Sequence, residues 1–223
     1  MSQIDRKLSS RLKKLDLDEI NNNHVLSDET PRSNTQLFDN SILAQIKEES
    51  FLNKYDRFLL VHNEKENVFY FDLGDNLILR SLKRDDFAKG YLNLLAQLTV
   101  VGDVSKEQYE QRFDKMKSCY NTYFILVVED LEKSRVCATI THVYEQKFLR
   151  NTSARGRIED VVVDEQYRGK KLSKLLLDVA VQLSKLLGCY KLSLECKDHL
   201  KKLYQQFGFD LEEHQNYLCQ RFI

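Results

Sequence analysis

Apolar residues recur along this chain at two periods. Leu172, Leu176, Val179, Leu183 and Leu186 follow at spacings of three and four, one face of a helix that Gly188 is placed to cap. Just upstream, Val161, Val162 and Val163 form a β-branched run suited to a buried strand. Between strand and helix lie Arg168, Gly169, Lys170 and Lys171, a basic bend. Alternation predicts a first core strand over 77–82, and Asp85 is placed to cap a helix running to about Leu98. Ser105 and Gln108 form a capping box, after which Tyr109, Phe113, Met116 and Tyr120 share a helical face. Strands are predicted over 123–129, 136–147 and 157–163, with a turn at 130–135. A strand over 190–195, a short helix over 201–206 and last strands at Phe209 and over 217–222 complete the pattern.

The first part of the chain reads differently. Ile4, Leu8, Leu12 and Leu15 recur at helical spacing among Arg6, Lys7, Arg11, Lys13 and Lys14. Two readings stand: a basic amphipathic helix on an anionic membrane or partner, or a partly helical tail. Asn21 to Asn23 and Ser27 to Gln36, with the sole proline, Pro31, read as linker. A helix is expected over 41–52, and strands over 58–61 and 68–71 as a hairpin. The expected division is a basic tail and linker at 1–36, an extension packing on the core at 37–76, and a core domain at 77–223.

Composition narrows the classes. The 223 residues carry 34 basic and 34 acidic side chains, so whole-chain charge points to neither nucleic acid nor a generally acidic partner. No apolar run approaches the ~18 residues of a membrane span, and no leader pattern opens the chain. A soluble cytoplasmic protein is expected, with peripheral endomembrane contact through the tail as the alternative. Cys119, Cys137, Cys189, Cys196 and Cys219 are odd in number and irregular in spacing, which suits free thiols. None joins a histidine at zinc spacing, so no metal is expected.

The chemistry concentrates at the basic bend. A helix N-terminus offers unpaired N–H groups and a partial positive charge, and lysines there suit a phosphate or pyrophosphate. Glu159 and Asp160 put two carboxylates on the strand just upstream. Strict alternation sends them to opposite faces, so they are expected to do different jobs.

These pieces resemble a known family. Leu98-Thr-Val-Val-Gly102, Gly156-Arg-Ile-Glu-Asp-Val-Val-Val163, Tyr167-Arg-Gly-Lys170, Gly188-Cys-Tyr-Lys191, Leu194-Glu-Cys196, Leu203-Tyr204, Phe207-Gly-Phe209 and Asn216-Tyr-Leu-Cys-Gln-Arg-Phe222 occur in the order found in the GNAT acetyltransferase superfamily. Within it the likeness is to the glucosamine 6-phosphate N-acetyltransferase family, over about Leu77 to Ile223, with a weaker echo at Leu37-Phe-Asp39. The resemblance implies an α/β (α+β) acetyltransferase fold, a mixed twisted central sheet flanked by helices. It implies acetyl-CoA as cosubstrate, D-glucosamine 6-phosphate as acceptor, and a homodimer with exchanged C-terminal strands.

By the same resemblance, Val161, Val162, Val163, Arg168, Gly169, Lys170, Lys171, Leu172, Ser173, Lys174 and Tyr204 hold acetyl-CoA. Asp160 orients the amine, Glu159 holds the sugar or shapes the site, Glu195 helps with amine deprotonation or sugar binding, and Tyr204 faces the departing sulfur. The backbone N–H of Val161 or a neighbour is the candidate oxyanion donor. Thr99, Lys147, Phe148, Leu149, Arg150, Tyr190, Lys191 and Arg221 match acceptor-site positions, with Glu159, Asp160 and Glu195. Three positions depart from the family pattern. Lys171 and Ser173 replace small residues of the phosphate loop, and Leu200 replaces an asparagine that bonds the pantetheine arm. Two other readings therefore stay open: an acetyltransferase for a different amine, and a catalytically weakened, CoA-binding interaction paralogue.

Overall fold

The computed structural model describes residues 35–46, 55, 58–66 and 68–222; the expected tail helix and most of the expected linker lie outside them. Seven runs form one sheet: β1 (Leu59–Asn63), β2 (Val68–Gly74), β3 (Leu77–Ser81), β4 (Tyr123–Asp130), β5 (Arg135–Gln146), β6 (Ala154–Val163) and β7 (Cys189–Ser193). Spatial order follows chain order. Neighbours are antiparallel as far as β6, whereas β6 and β7 run parallel. Among the described residues, right-handed helices α1 (Tyr91–Leu95), α2 (Lys106–Ser118), α3 (Leu172–Leu186) and α4 (Lys201–Gln205) accompany the sheet, and Leu149–Thr152 forms a short turn with left-handed Arg150 and Asn151. A parallel pair needs a crossover, and α3 is that crossover.

Both faces of the central strands are buried. On one, Leu176, Leu177, Val179, Ala180 and Leu183 of α3 pack with Leu79, Phe124, Leu126, Ile140 and Ile158. On the other, Tyr91 and Leu94 of α1 and Tyr109 and Phe113 of α2 pack with Ile125, Val127, Val136 and Val162. Leu126 and Val127, adjacent on β4, therefore serve opposite cores. No helix among the described residues is long and apolar enough to cross a membrane.

Several local expectations are corrected. The helix from Asp85 to Leu98 is broken: a 3-10 turn spans Arg84–Phe87, and Gly90, at φ 77°, separates it from α1. The capping carboxylate is Asp86, which accepts the Lys83 N–H at 2.7 Å. The same carboxylate takes Arg80 Nη1 and Nη2 at 2.8 and 2.7 Å, while Arg80 Nε donates to Glu129 at 2.7 Å. Asp86 is committed to a buried guanidinium, a demand that sequence spacing does not reveal. The helix expected over 41–52 is a 3-10 stretch at Asn40–Gln45, and 47–54 lie outside the described residues. The Ser105–Gln108 capping box forms, but α2 ends at Ser118 and leaves Tyr120 37% exposed. Phe209 and 217–222 form no strand: Tyr217, Leu218 and Phe222 are 66%, 89% and 86% exposed. A strand needs a ladder partner, and no described strand pairs with them.

A polar pair, His142 and Ser184, sits in the α3 core. His142 is fully buried, with Nε2 2.7 Å from Ser184 Oγ. Ser184 gives its hydroxyl hydrogen to the Ala180 carbonyl at 3.0 Å, which assigns the Nε2–H tautomer to the imidazole. Gly156 makes room for this pair, since a Cβ there would lie 2.7 Å from both His142 Nε2 and Leu192 Cδ1. Burial pushes the His142 pKa down to about 4. An unfolded imidazole titrates near 6.5, so between those values the unfolded chain binds the extra proton. The stability present above pH ~6.5 is lost as pH falls toward 4, by about 3 kcal/mol from this residue. Urea denaturation of His142→Gln is expected to lose stability less steeply across that window. Identical pH profiles in both proteins would rule the buried imidazole out as the cause.

Candidate active site

The site begins where two strands part. β6 pairs with β7 from Ala154 opposite Cys189 to Arg157 opposite Ser193. β7 ends there, while β6 continues to Val163. Past Arg157, the β7-facing edge of β6 therefore has backbone groups with no described strand beside them. On the other edge β5 stays paired but the register slips: Thr139 faces Val162 and Thr141 faces Glu159. Asp160 and Val161 oppose the single residue Ile140, and Asp160 takes φ 53°. This is a β-bulge.

The bulge removes the premise of strict alternation for the two acids. Its extra residue reverses the alternation, so Ile158 packs in the α3 core and Val162 in the opposite one. Alternation therefore does not divide Glu159 from Asp160. Asp160 reaches solvent, yet the protein removes enough water around it to raise its pKa, and the Glu159 charge raises it further. Asp160 in turn helps raise the Tyr91 phenol, whose main cause is burial.

Arg157 joins the carboxylates. Its Nε donates to Glu159 and its Nη2 to Glu195, and these two hydrogen bonds raise the guanidinium pKa. Sequence reasoning passed over Arg157, although period-two alternation places it on the face of Glu159. In the C-terminal segment, the Tyr217 pKa is raised mainly by neighbouring Cys219, with the Glu195 charge behind it.

The basic bend stands at the C-terminal end of β6. Arg168, Gly169, Lys170 and Lys171 are exposed, and α3 starts at Leu172 with no side-chain cap. Its first-turn N–H groups and dipole face outward. Gly169 has φ 84° and Lys171 φ 60°. The second value explains the small residue expected at Lys171: glycine takes this conformation freely, while a side chain costs about 1 kcal/mol. Ser173 and Lys174 are half-buried, and Lys174 Nζ donates to Gln206 at 3.1 Å, tying the first turn of α3 to the end of α4.

α4 carries Tyr204, which is 8% exposed and packs in the α3 core. Burial raises its pKa, with Cys196 second, and its hydroxyl has no hydrogen-bond partner among the described residues. Leu200 packs against the same core, so its side chain exchanges hydrogen bonding for apolar contact. Val161 and Val163 pack on that core as well. The open edge of β6 thus runs between Glu159 on one face of the sheet and Tyr204 on the other.

The remaining acceptor-site candidates do not converge within one chain. Lys147 and Arg155 both pair with Glu145, Arg150 lies 6.0 Å from the Tyr190 ring centroid, and Lys191 reaches Glu212. These residues occupy the far end of β6, where Phe148 and Leu149 are 97% and 67% exposed. From Ala154 to Glu159 the strand spans roughly 16 Å at ~3.3 Å per residue. Thr99 lies toward the opposite end: nearby Gln97 donates to Asp164 at 3.0 Å and accepts the Glu165 N–H at 3.1 Å. Arg221 is exposed in the C-terminal segment. Among the described residues no cluster could hold a metal ion.

Comparison with known proteins places this geometry. Residues 89–209 match the family described as acetyltransferase (GNAT) family. A Drosophila melanogaster protein named probable glucosamine 6-phosphate N-acetyltransferase is 41% identical over 176 residues, 75% of this chain and 79% of its own. The Arabidopsis thaliana glucosamine 6-phosphate N-acetyltransferase is 38% identical over 136 residues, 61% of this chain and 91% of its own. The crystal structure of glucosamine-6-phosphate N-acetyltransferase from Arabidopsis thaliana superposes with a TM-score of 0.63 at 36% identity, covering 67% of this chain and 100% of that one.

The bulge contact is testable by titration. Neutralising Glu159 removes a like charge and lets Asp160 ionise more readily. In Glu159→Gln, carbon-13 NMR is expected to show the Asp160 carboxyl titrating at lower pH than in the unaltered chain. An unmoved midpoint would mean that the two acids do not sense one another.

Proposed function

This chain belongs to the acetyltransferase (GNAT) family, and on that footing we propose that it transfers acetyl from acetyl-CoA to the amine of D-glucosamine 6-phosphate. The products are N-acetyl-D-glucosamine 6-phosphate and CoA, a step toward UDP-N-acetylglucosamine. The observation that carries this reading is the open edge of β6, which links the uncapped basic bend, the acid pair and Tyr204. The names of the relatives supply the acceptor.

The chain fits the acyl donor. The uncapped start of α3, at Gly169 to Lys174, with the cations of Arg168, Lys170 and Lys171, suits a diphosphate. Unpaired backbone along Val161, Val162 and Val163 suits an amide-bearing arm laid beside the strand as an extra partner. The N–H of Val161 or a neighbour is the proposed oxyanion donor. Binding donor and acceptor together converts the encounter into an oriented one. The C–N bond forms as the C–S bond breaks. The amine loses a proton toward the Asp160 and Glu195 region, and the departing thiolate gains one, for which the Tyr204 hydroxyl is the proposed donor.

A homodimer is part of the proposal. Lys147, Arg150, Tyr190 and Lys191 lie too far along β6 to share one small sugar phosphate with Glu159 of the same chain. The exposed Phe148, Leu149, Tyr217, Leu218 and Phe222 offer apolar surface for a second copy. In that arrangement Arg221 and the cations near Arg150 of one copy serve the site of the other, where an arginine fork suits a phosphate.

Release of CoA thiol with both substrates present tests the reading. Thiol release is expected to need both substrates and to fall sharply when glucosamine lacks its 6-phosphate. Equal turnover of both sugars would favour another amine as acceptor. No turnover despite CoA binding would favour the interaction paralogue, a reading motivated by Lys171, Ser173 and Leu200. Tyr204→Phe is expected to lower kcat by about 100-fold with acetyl-CoA affinity kept; an unchanged kcat would remove its acid role.

A further inference from the structure

We infer that Arg157 is a positioning residue that spans the opening between β6 and β7 and fixes Glu159 and Glu195 on its two sides. The inference rests on the amine-acetylating reading above and adds to it a residue that reading did not use. Arg157 is the last residue of β6 with a β7 partner, so its backbone stands at the vertex where the strands part. Its side chain reaches across: Nε to Glu159 Oε1 on β6, and Nη2 to Glu195 Oε1, two residues past the end of β7. Each carboxylate gives its Oε1 to the fork.

Two further atoms mark this spot as built for a ligand. Thr141, opposite Glu159 on β5, is 5% exposed, and its Oγ1 is buried without a partner among the described residues. Ser193, opposite Arg157 on β7, has a buried Oγ in the same condition. Unpaired polar atoms at this depth are costly unless something completes them.

The other charges nearby are accounted for. Arg155 is held by Glu145 and Lys191 by Glu212, so Arg157 is the cation that meets the two acids. Asp160 faces them from the bulge, and Tyr217 reaches Glu195 from the C-terminal segment. Side-chain exposures of 32%, 40% and 36% for Arg157, Glu159 and Glu195 make this a partly solvated network, whose worth to folding is small. Its value is geometric. A planar guanidinium meets two carboxylates with separate nitrogens in fixed directions, which a single ammonium does not.

The test uses the full chain and its Arg157→Gln, Arg157→Lys, Glu195→Gln and Arg157→Gln/Glu195→Gln variants. Arg157→Gln is expected to keep its urea midpoint and its KM for acetyl-CoA, and to lose about 10-fold in kcat/KM for the amino sugar phosphate. Arg157→Lys is expected to regain little of that loss. The double variant is expected to fall no more than about 3-fold below Glu195→Gln alone, because part of the Arg157 effect runs through that carboxylate and only the share through Glu159 is left. Losses that multiply, full rescue by lysine, or an Arg157→Gln variant as active as the unaltered chain would each overturn the role. An unaltered chain that forms no product overturns the transfer reading and this role together, whereas an active one with multiplying losses overturns this role alone.

Discussion

Past Arg157, β6 has a hydrogen-bonded neighbour on only one side, and the remainder of the site is arranged around that gap. Inside a sheet an unpaired edge is a liability, since its N–H and C=O groups lose water without gaining partners. Here the edge lies between two cores that hold β6 from above and below. β5 stays paired with β6 on both sides of the bulge, at Ala154 to Glu159 and again at Val162 and Val163, and holds the strand as half of a ladder. An extended ligand segment can supply the missing half.

Two left-handed positions border the same place. Asp160 and Lys171 both take positive φ, one at the bulge and one at the start of α3. Neither is glycine, and such residues cost of order 1 kcal/mol or more and cluster where function over-determines the backbone. Rigid surroundings hold them. Val162 locks the strand into one core just after the bulge, and Leu172 and Leu176 lock the helix into the other just after the bend. The buried Arg80 network with Asp86 and Glu129 anchors the turn that leads into α1, the helix whose Tyr91 senses Asp160.

The departures from the family pattern read differently once placed. Leu200 contributes to the core beneath Tyr204 and so exchanges a polar contact for packing. Lys171 keeps the left-handed turn that a smaller residue would adopt more cheaply, and adds a charge at the helix start. Neither change disturbs the open edge or the acid pair. The exposed C-terminal segment has the opposite character. Its apolar residues find no ladder in one chain, and its contact with Glu195 through Tyr217 brings it to the edge of the site.

Much of this was legible in the order of residues. The α3 stripe, the Ser105 cap, the β4–β5 hairpin and the basic bend follow from periodicity and local chemistry, because each depends on neighbours a few positions away. The motif order likewise named the family. What sequence could not supply were features set by distant partners. Asp86 replaced Asp85 as the capping acid because Arg80 and Glu129 required it. Glu159 and Asp160 left strict alternation because β5 offers one residue against two. Arg157 gained its bridge only when β7 diverged and brought Glu195 within reach. Local order determined which groups this protein carries and on which element each one rides. Tertiary structure decided which of them meet, because register, splay and burial are properties of strand pairs and packed faces that no single segment contains.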